Sequence, residues 1–98
     1  MPAYVISELE VRDPVAIETY RSIAAKSIAQ YGGRYLVRNG AASIAEGGPP
    51  VKSIVVVEFP SMERLRERYA SPEYAEALKV RQTALDRRLI FVEGMAPA

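Results

Sequence analysis

The order of its strand-like and helix-like segments restricts the fold of this chain more than any other feature. Segments rich in Val, Ile, Leu and Tyr alternate with segments whose apolar residues recur every three or four positions. These patterns predict strands at 3–11, 34–46, 52–59 and 89–93, with helices after the first and third strands. The order β-α-β-β-α-β is that of the ferredoxin-like split βαβ arrangement. Residues 1–98 are therefore expected to form one α+β domain, a sandwich in which a four-stranded antiparallel sheet carries its helices on one face.

Small polar residues, proline and glycine mark the ends of the predicted helices. Asp13 is followed by proline, which places a capping side chain just before a residue suited to the first helical turn. The glycine pair at 32–33 ends this helix, because glycine adopts the left-handed conformation at little steric cost. The second helical stretch begins at Ser61, and Ser71 with its following proline breaks and restarts it.

Three missing residue types limit the chemistry that the chain can perform. The sequence contains no His, no Cys and no Trp. This excludes disulfides, thiolate nucleophiles, Cys-ligated zinc, Ser-His-Asp triads and histidine-ligated haem. We therefore expect no cofactor and no metal site, and any acid–base chemistry must come from Glu, Arg and Tyr.

The charge and hydropathy patterns bear on partners and location. Thirteen basic and twelve acidic residues are interspersed and give a net charge of +1, so no basic patch points to a nucleic-acid partner. The longest apolar run, 54–57, is far shorter than the roughly 20 residues of a membrane-spanning helix. The first residues also lack the pattern of a secretory signal. These observations predict a soluble, cytoplasmic protein without a membrane partner.

Side chains alternate between the two faces of a strand, which divides the strand residues into two sets. The first set is almost wholly apolar and is expected under the helices: Val5, Ser7, Leu9, Val11, Tyr35, Val37, Val55, Val57, Phe59, Ile90 and Val92. The second set mixes large apolar and charged residues and is expected on the uncovered face: Tyr4, Ile6, Glu8, Glu10, Leu36, Arg38, Ile54, Val56, Glu58, Leu89, Phe91 and Glu93. A soluble monomer rarely exposes so much apolar area. The second set therefore predicts a homodimer, packed sheet against sheet around a cavity.

The charged members of the second set form the predicted site. Glu58, Glu93 and Arg38 are the candidate catalytic residues, because carboxylates in an apolar cavity can have raised pKa values and act as acid or base. Arg38 would hold an anionic or enolate-like oxygen bidentately. The alternative is a structural ion-pair network at the dimer interface, which includes Glu8 and has no catalytic role. Structural networks of this kind are the more common of the two.

The predicted ligand-binding wall joins these charges to their apolar neighbours. Its members are Tyr4, Glu8, Arg38, Val56 and Phe91. Tyr4 is the tyrosine favoured for function, because its position in the strand places it on the charged face. The other tyrosines on inward helical positions are expected to pack in the core, as aromatic side chains usually do; they are Tyr20, Tyr31, Tyr69 and Tyr74.

Several motifs together resemble a known family. They are the start at 1–6, the Asp-Pro pair at 13–14, Tyr20, the segment 31–38, the segment 58–61, the segment 71–74 and the segment 92–94. The chain is similar over nearly its whole length to the bacterial family called domain of unknown function 1330, in the dimeric α/β-barrel superfamily. The resemblance implies a ferredoxin-like subunit that dimerises through its sheet. It implies no single activity, although the superfamily includes cofactor-independent monooxygenases, muconolactone-type isomerases and haem-binding members.

Three functions remain open from the sequence. The first is a dimeric barrel that binds a small, partly apolar or anionic metabolite in the cavity on the sheet face. The second is a cofactor-independent isomerase, lyase or monooxygenase with Glu58 as base and Arg38 as oxyanion partner. The third is a structural dimerisation module without a ligand.

Overall fold

Four antiparallel strands form one sheet, in which the second strand of the chain lies beside the third, the third beside the first, and the first beside the fourth. The computed structural model describes residues 1–50 and 53–96, so Lys52, predicted as the start of the third strand, lies outside the described residues. The strands are β1 (Ala3–Val11), β2 (Arg34–Ala41), β3 (Ser53–Phe59) and β4 (Leu85–Glu93), and the helices are α1 (Ala16–Gln30), α2 (Met62–Tyr69) and α3 (Pro72–Ala84). The predicted ferredoxin-like order is confirmed, with the second helical stretch divided in two. The Cα atoms span 38 × 37 × 16 Å. The smallest of these dimensions is the thickness of one sheet and one helix layer.

Small polar side chains accept hydrogen bonds from the backbone at the start of each helix. The Asp13 carboxylate accepts hydrogen bonds from the backbone N–H groups of Val15 at 2.9 Å and Ala16 at 3.1 Å, although regular helix begins only at Ala16. Ser61 and Ser71 each accept one from the backbone N–H three residues later, at 3.1 Å. Each such cap stabilises its helix by about 1 kcal/mol. These interactions fix where α1, α2 and α3 begin relative to the sheet.

The core lies between the sheet and the helices. In β1 every second residue from Ala3 to Leu9 is buried, and Val57 and Phe59 continue the same face in β3. The helix residues packed against this face are Ile17, Ala24, Ile28, Leu65, Tyr74, Ala77 and Ala84. All of the core clusters lie on one face, so the described helices leave the opposite face of the sheet uncovered.

The last strand begins four residues earlier than predicted, and its faces are reversed. Residues that stand opposite each other on neighbouring strands share a face. Leu89 stands opposite Ser7 and Phe91 opposite Val5, so both point toward the helices. The predicted placement of Leu89, Phe91 and Glu93 on the uncovered face is therefore wrong. Their neighbours Ile90 and Val92 take that face instead, because a one-residue shift in register exchanges the two faces of a strand.

The second strand contains an irregularity that also changes faces. Tyr35 stands opposite Val57 on the helix side, whereas Val37 stands opposite Val56 on the uncovered side. A bulge of this kind inserts an extra residue and breaks the simple alternation. The predicted faces of Val37 and Arg38 are consequently wrong, and the strand ends at Ala41 rather than near residue 46.

Candidate functional site

A pocket lies between the helix layer and the sheet, on the side opposite the predicted cavity. Its apolar wall consists of Val5, Leu9, Ile17, Ala24, Ile28, Val55, Val57, Leu85 and Leu89. Its polar lining consists of Ser7, Tyr20, Arg21, Tyr35, Arg38, Asn39, Arg68, Tyr74 and Arg87. The centre of a water molecule can occupy about 60 Å³ of this space, several times the roughly 10–15 Å³ that one water needs. The pocket can therefore hold several water molecules.

The pocket has a strongly positive lining. Four arginines contribute to it, and the described lining contains neither Asp nor Glu. Arg68 is only 5% exposed, and Arg87 is also largely shielded from solvent. Buried charges in proteins are usually paired with an opposite charge, because desolvation otherwise costs several kcal/mol or so. Arg21 pairs with Glu18, which lies outside the lining. No carboxylate on the described wall balances the charge of the other three arginines.

Arg68 extends from α2 beneath α1. Its Nε donates to the Ser27 hydroxyl at 2.9 Å, and its Nη2 donates to the Ala24 carbonyl at 3.2 Å. The guanidinium lies 3.7 Å from the centre of the Tyr74 ring, a cation–π contact. Burial lowers the pKa of Arg68, because the cation loses hydration and gains no anionic partner.

Arg87, Tyr20 and Tyr74 meet at the centre of the pocket, and we call them the phenol–guanidinium cluster. They come from β4, α1 and α3, respectively. Arg87 donates to both tyrosine hydroxyls, at 2.8 Å for Tyr74, and the two hydroxyl oxygens are 2.8 Å apart. Burial raises the pKa of Tyr20, and the adjacent Tyr74 raises it further. Burial alone would lower the pKa of Arg87, but the two phenols outweigh it and raise that pKa.

The solvent end of the pocket lies between α1 and β2. Arg38 and Asn39 are exposed there, and Arg21 is half-buried. Arg21 donates to the Asn39 side chain at 3.4 Å and to Glu18 at 3.0 Å, while the Arg38 guanidinium lies 4.6 Å from the Tyr35 ring centre. Asn39 has a φ of 57°, a left-handed conformation that asparagine tolerates better than most residues. This backbone change in β2 accompanies the placement of Arg38 and Asn39 at the pocket.

The predicted cluster of charges is divided between the two faces of the sheet. Glu58 lies on the uncovered face, where it accepts a hydrogen bond from Arg34 at 2.8 Å. Arg38 lines the pocket on the other face, so the predicted pairing of Glu58 with Arg38 is wrong. Glu93 stands opposite Ala3 at the end of β4, away from both.

The predicted ligand wall is divided in the same way. Tyr4, Glu8 and Val56 lie on the uncovered face, with Glu8 opposite Arg88. Phe91 packs on the helix side, where its ring centre is 5.3 Å from that of Tyr69. Arg38 is the predicted site residue that lines the pocket.

Several polar residues of the pocket are absent from the predicted site. The sequence places Tyr20 and Tyr74 on inward positions and predicts only a packing role for them. Arg68 follows the buried Leu65 by three residues, which places it on the inward face of α2. An arginine on an inward helical position was therefore the available signal. Arg87 had no comparable signal, because the predicted last strand began two residues after it.

The raised pKa of Tyr20 predicts how stability changes in alkaline solution. A phenol in the unfolded chain ionises near its ordinary pKa of 10.0, whereas folded Tyr20 stays protonated to higher pH. The unfolded state then binds fewer protons, so the free energy of unfolding should decrease as pH rises above 10. Tyr20→Phe should reduce this slope by up to about 1.4 kcal/mol per pH unit. Urea denaturation across alkaline pH measures it, and equal slopes in the two proteins would contradict the shift.

The described residues offer two further structural observations. None of the described helices is long and apolar enough to cross a membrane. Within residues 1–50 and 53–96, no group of three or more acidic side chains converges in a way that could hold a metal ion.

Comparisons with known proteins agree with the architecture. A protein of unknown function from Rhodopseudomonas palustris is 25% identical, with a TM-score of 0.76 over 98% of this chain and 84% of that chain. SnoaB, a cofactor-independent oxygenase from Streptomyces nogalater, is 11% identical, with a TM-score of 0.68 over 98% and 95%. A dimeric ferredoxin-like protein of unknown function from Bacteroides fragilis is 14% identical, with a TM-score of 0.62 over 95% and 96%. At these identities the last two similarities concern the fold alone.

Sequence comparison defines the family. A search among curated proteins found no match. The family model described as a domain of unknown function (DUF1330) matches residues 2–95. Because this match spans almost the whole chain, the protein belongs to the DUF1330 family.

Proposed function

We propose that this protein binds a small, partly apolar organic anion in the pocket between its helices and its sheet. The observation that carries the proposal is a lining with four arginines and no described carboxylate. A buried guanidinium without a carboxylate partner is costly, and a bound anion would offset that cost. The pocket replaces the sheet-face cavity as the place for the ligand.

The donors that remain on the buried arginines support an anion. A guanidinium has five N–H donors. Arg68 uses its Nε and Nη2 for Ser27 and Ala24, which leaves its Nη1 for a ligand. Arg87 uses one N–H for each tyrosine hydroxyl. Charge-assisted hydrogen bonds from these groups to a carboxylate would each contribute about 1.5–3 kcal/mol.

The rest of the lining indicates the body of the ligand. Nine of the lining residues are aliphatic. Such a wall favours an apolar group attached to the anion, because each buried CH₂ contributes about 0.8 kcal/mol. A compact aromatic or branched carboxylate matches both the charge and the apolar wall of the pocket.

Benzoate and benzamide provide the test, because they have the same shape and differ in charge. Benzoate should bind measurably in isothermal titration calorimetry, and benzamide should bind at least about tenfold more weakly, since it lacks the charge-assisted interaction. Raising the salt concentration should weaken benzoate binding only modestly, because buried charges are screened little. Equal affinities for the two compounds, or no binding of either, would contradict the proposal.

A catalytic role is the second candidate, and the phenol–guanidinium cluster is the observation that favours it. Donors fixed in a water-poor site can stabilise an oxyanion such as an enolate. The predicted base Glu58 lies on the other face of the sheet, and the described pocket lining contains no carboxylate. A substrate would therefore have to be acidic enough to ionise without a protein carboxylate. Turnover of such a compound, beyond simple binding, would distinguish this candidate.

We also propose that the protein is a homodimer, with a second copy covering the uncovered face of the sheet. The centre of this face is apolar, with Ile6 between Val56 and Ile90. Both signs of charge flank it: the Glu58–Arg34 ion pair on one side, and Glu8 opposite Arg88 on the other. A second copy related by a two-fold axis can therefore place opposite charges against each other around an apolar centre. The dimeric Bacteroides fragilis protein of the same fold supports this assembly.

A further inference from the structure

The phenol–guanidinium cluster contains one more hydrogen-bond donor than it can use internally. Arg87 donates to the hydroxyl oxygens of both Tyr20 and Tyr74, and a guanidinium cannot accept a hydrogen bond. Each phenol carries one O–H proton. The two oxygens are 2.8 Å apart, so one phenol donates to the other. Only one of the two O–H protons can lie in the hydrogen bond between these oxygens.

The second proton has no acceptor within the protein. Among the described residues, the only hydrogen-bond partners of these two hydroxyls are each other and Arg87. Both tyrosines line the pocket, and Tyr74 is fully buried. The unused O–H can therefore be satisfied only by something inside the pocket. A donor left unsatisfied in a buried site carries a desolvation cost, so the pocket favours a group with lone pairs at this point.

We infer that the phenol–guanidinium cluster presents one phenolic O–H to the pocket and selects ligands that place an acceptor oxygen there. Carbonyl, carboxylate and enolate oxygens fit this requirement, whereas a CH₂ group at the same position does not. The inference rests on the pocket of the proposed function being a ligand site. The inference adds that an oxygen atom of the ligand contacts Tyr20 or Tyr74 and that the phenol donates the hydrogen bond.

The geometry also makes the two phenols interchangeable as donors. Without the Tyr20 hydroxyl, the proton of Tyr74 no longer has to satisfy its neighbour and becomes the donor to the ligand. Without the Tyr74 hydroxyl, Tyr20 takes the same role. Each single Phe variant therefore keeps one O–H for the pocket, and only the double variant loses it. Strong non-additivity is the expected signature.

Two neutral probes test the phenolic donor, because neither compound carries a charge that the arginines could bind. Acetophenone and α-methylstyrene have the same shape and differ in having C=O or C=CH₂. The measured quantity is the ratio of their dissociation constants, in wild type, Tyr20→Phe, Tyr74→Phe and the double variant. The preference for acetophenone should stay within about twofold of wild type in each single variant and fall about fivefold in the double variant. Tyr31→Phe is the matched control, because Tyr31 donates to Glu73 outside the pocket lining and should leave the ratio unchanged.

Proton NMR of the hydroxyl groups provides a readout that does not need the double variant to fold. Wild type should show one exchange-protected phenolic proton from the cluster, and each single variant should show none. Two protected protons in wild type, a preference lost in one single variant, or an unchanged ratio in the double variant would overturn the inference. Benzoate binding together with any of these results would leave the proposed anion site intact. A preference for acetophenone without benzoate binding would instead overturn the proposal that the pocket binds an anion. It would leave the inference about the phenolic O–H donor in place.

Discussion

Replacing Arg68 with methionine should weaken benzoate binding by about tenfold or more and leave the unliganded protein as stable as wild type. The binding loss follows from removing a buried, charge-assisted donor, a contribution of about 1.5–3 kcal/mol. The stability is retained because Ser27 donates to the Ala24 carbonyl at 2.9 Å, so neither group loses its last partner when Arg68 is removed. Methionine has a similar length, and replacing an unpaired buried charge with an apolar side chain is often neutral or stabilising. Calorimetry and urea denaturation measure the two quantities.

Arg64→Met is the matched control for this prediction. Arg64 lies on the same helix and pairs with Glu67 at 3.0 Å, outside the pocket lining. Its replacement should change neither benzoate affinity nor stability by more than about 0.5 kcal/mol, because exposed ion pairs contribute little. If Arg68→Met bound benzoate as tightly as wild type, Arg68 would have no role in anion binding. A loss of several kcal/mol in stability would identify it as a structural residue instead.

Replacing Ile6 with aspartate should convert the proposed dimer to monomers. Ile6 lies at the centre of the uncovered face, between Val56 and Ile90. In a sheet-to-sheet dimer the variant would bury one unpaired carboxylate in each subunit, at a cost of several kcal/mol or so. The dimer dissociation constant should rise by about a hundredfold or more, as measured by sedimentation equilibrium. The fold should survive, because Ile6 points away from the core beneath the helices.

Two further measurements make this prediction specific. Val15→Asp, at a residue 78% exposed beside α1, should leave the dimer intact. The Ile6→Asp monomer should still bind benzoate with near wild-type affinity, because the pocket lies on the other side of the sheet. A variant that remains dimeric would contradict the sheet-to-sheet assembly. A monomer that no longer binds benzoate would place the ligand at the dimer interface.

The fold could be predicted because its determinants are local. The side chains of Asp13, Ser61 and Ser71 each accept a hydrogen bond from a backbone N–H within three residues. The cap predicted at Ser71 is confirmed, whereas α1 begins two residues later than the Asp-Pro pair predicts. The order of strands and helices follows from hydrophobic period and these boundaries alone. Both signals depend only on neighbouring residues, so the sequence displays them directly.

The site could not be predicted because it depends on register between distant segments. Counting along single strands predicts that Phe91 and Arg38 lie on the uncovered face. The pairing of Phe91 with Val5 and the bulge after Tyr35 reverse those assignments, and neither feature is visible in an isolated strand. The phenol–guanidinium cluster joins residues up to 67 positions apart in the chain. Only the three-dimensional packing of α1, α3 and β4 brings them together.

A crystal structure with 4-bromobenzoate would locate the ligand, because anomalous scattering identifies the bromine position without ambiguity. We expect one bromine position per subunit, between the helix layer and the sheet. The carboxylate should lie within hydrogen-bonding distance of at least one of Arg38, Arg68 and Arg87, which line that pocket. Bromine on the uncovered face, between two sheets, or no bound compound at a concentration that saturates binding in solution, would rule out the pocket as the ligand site.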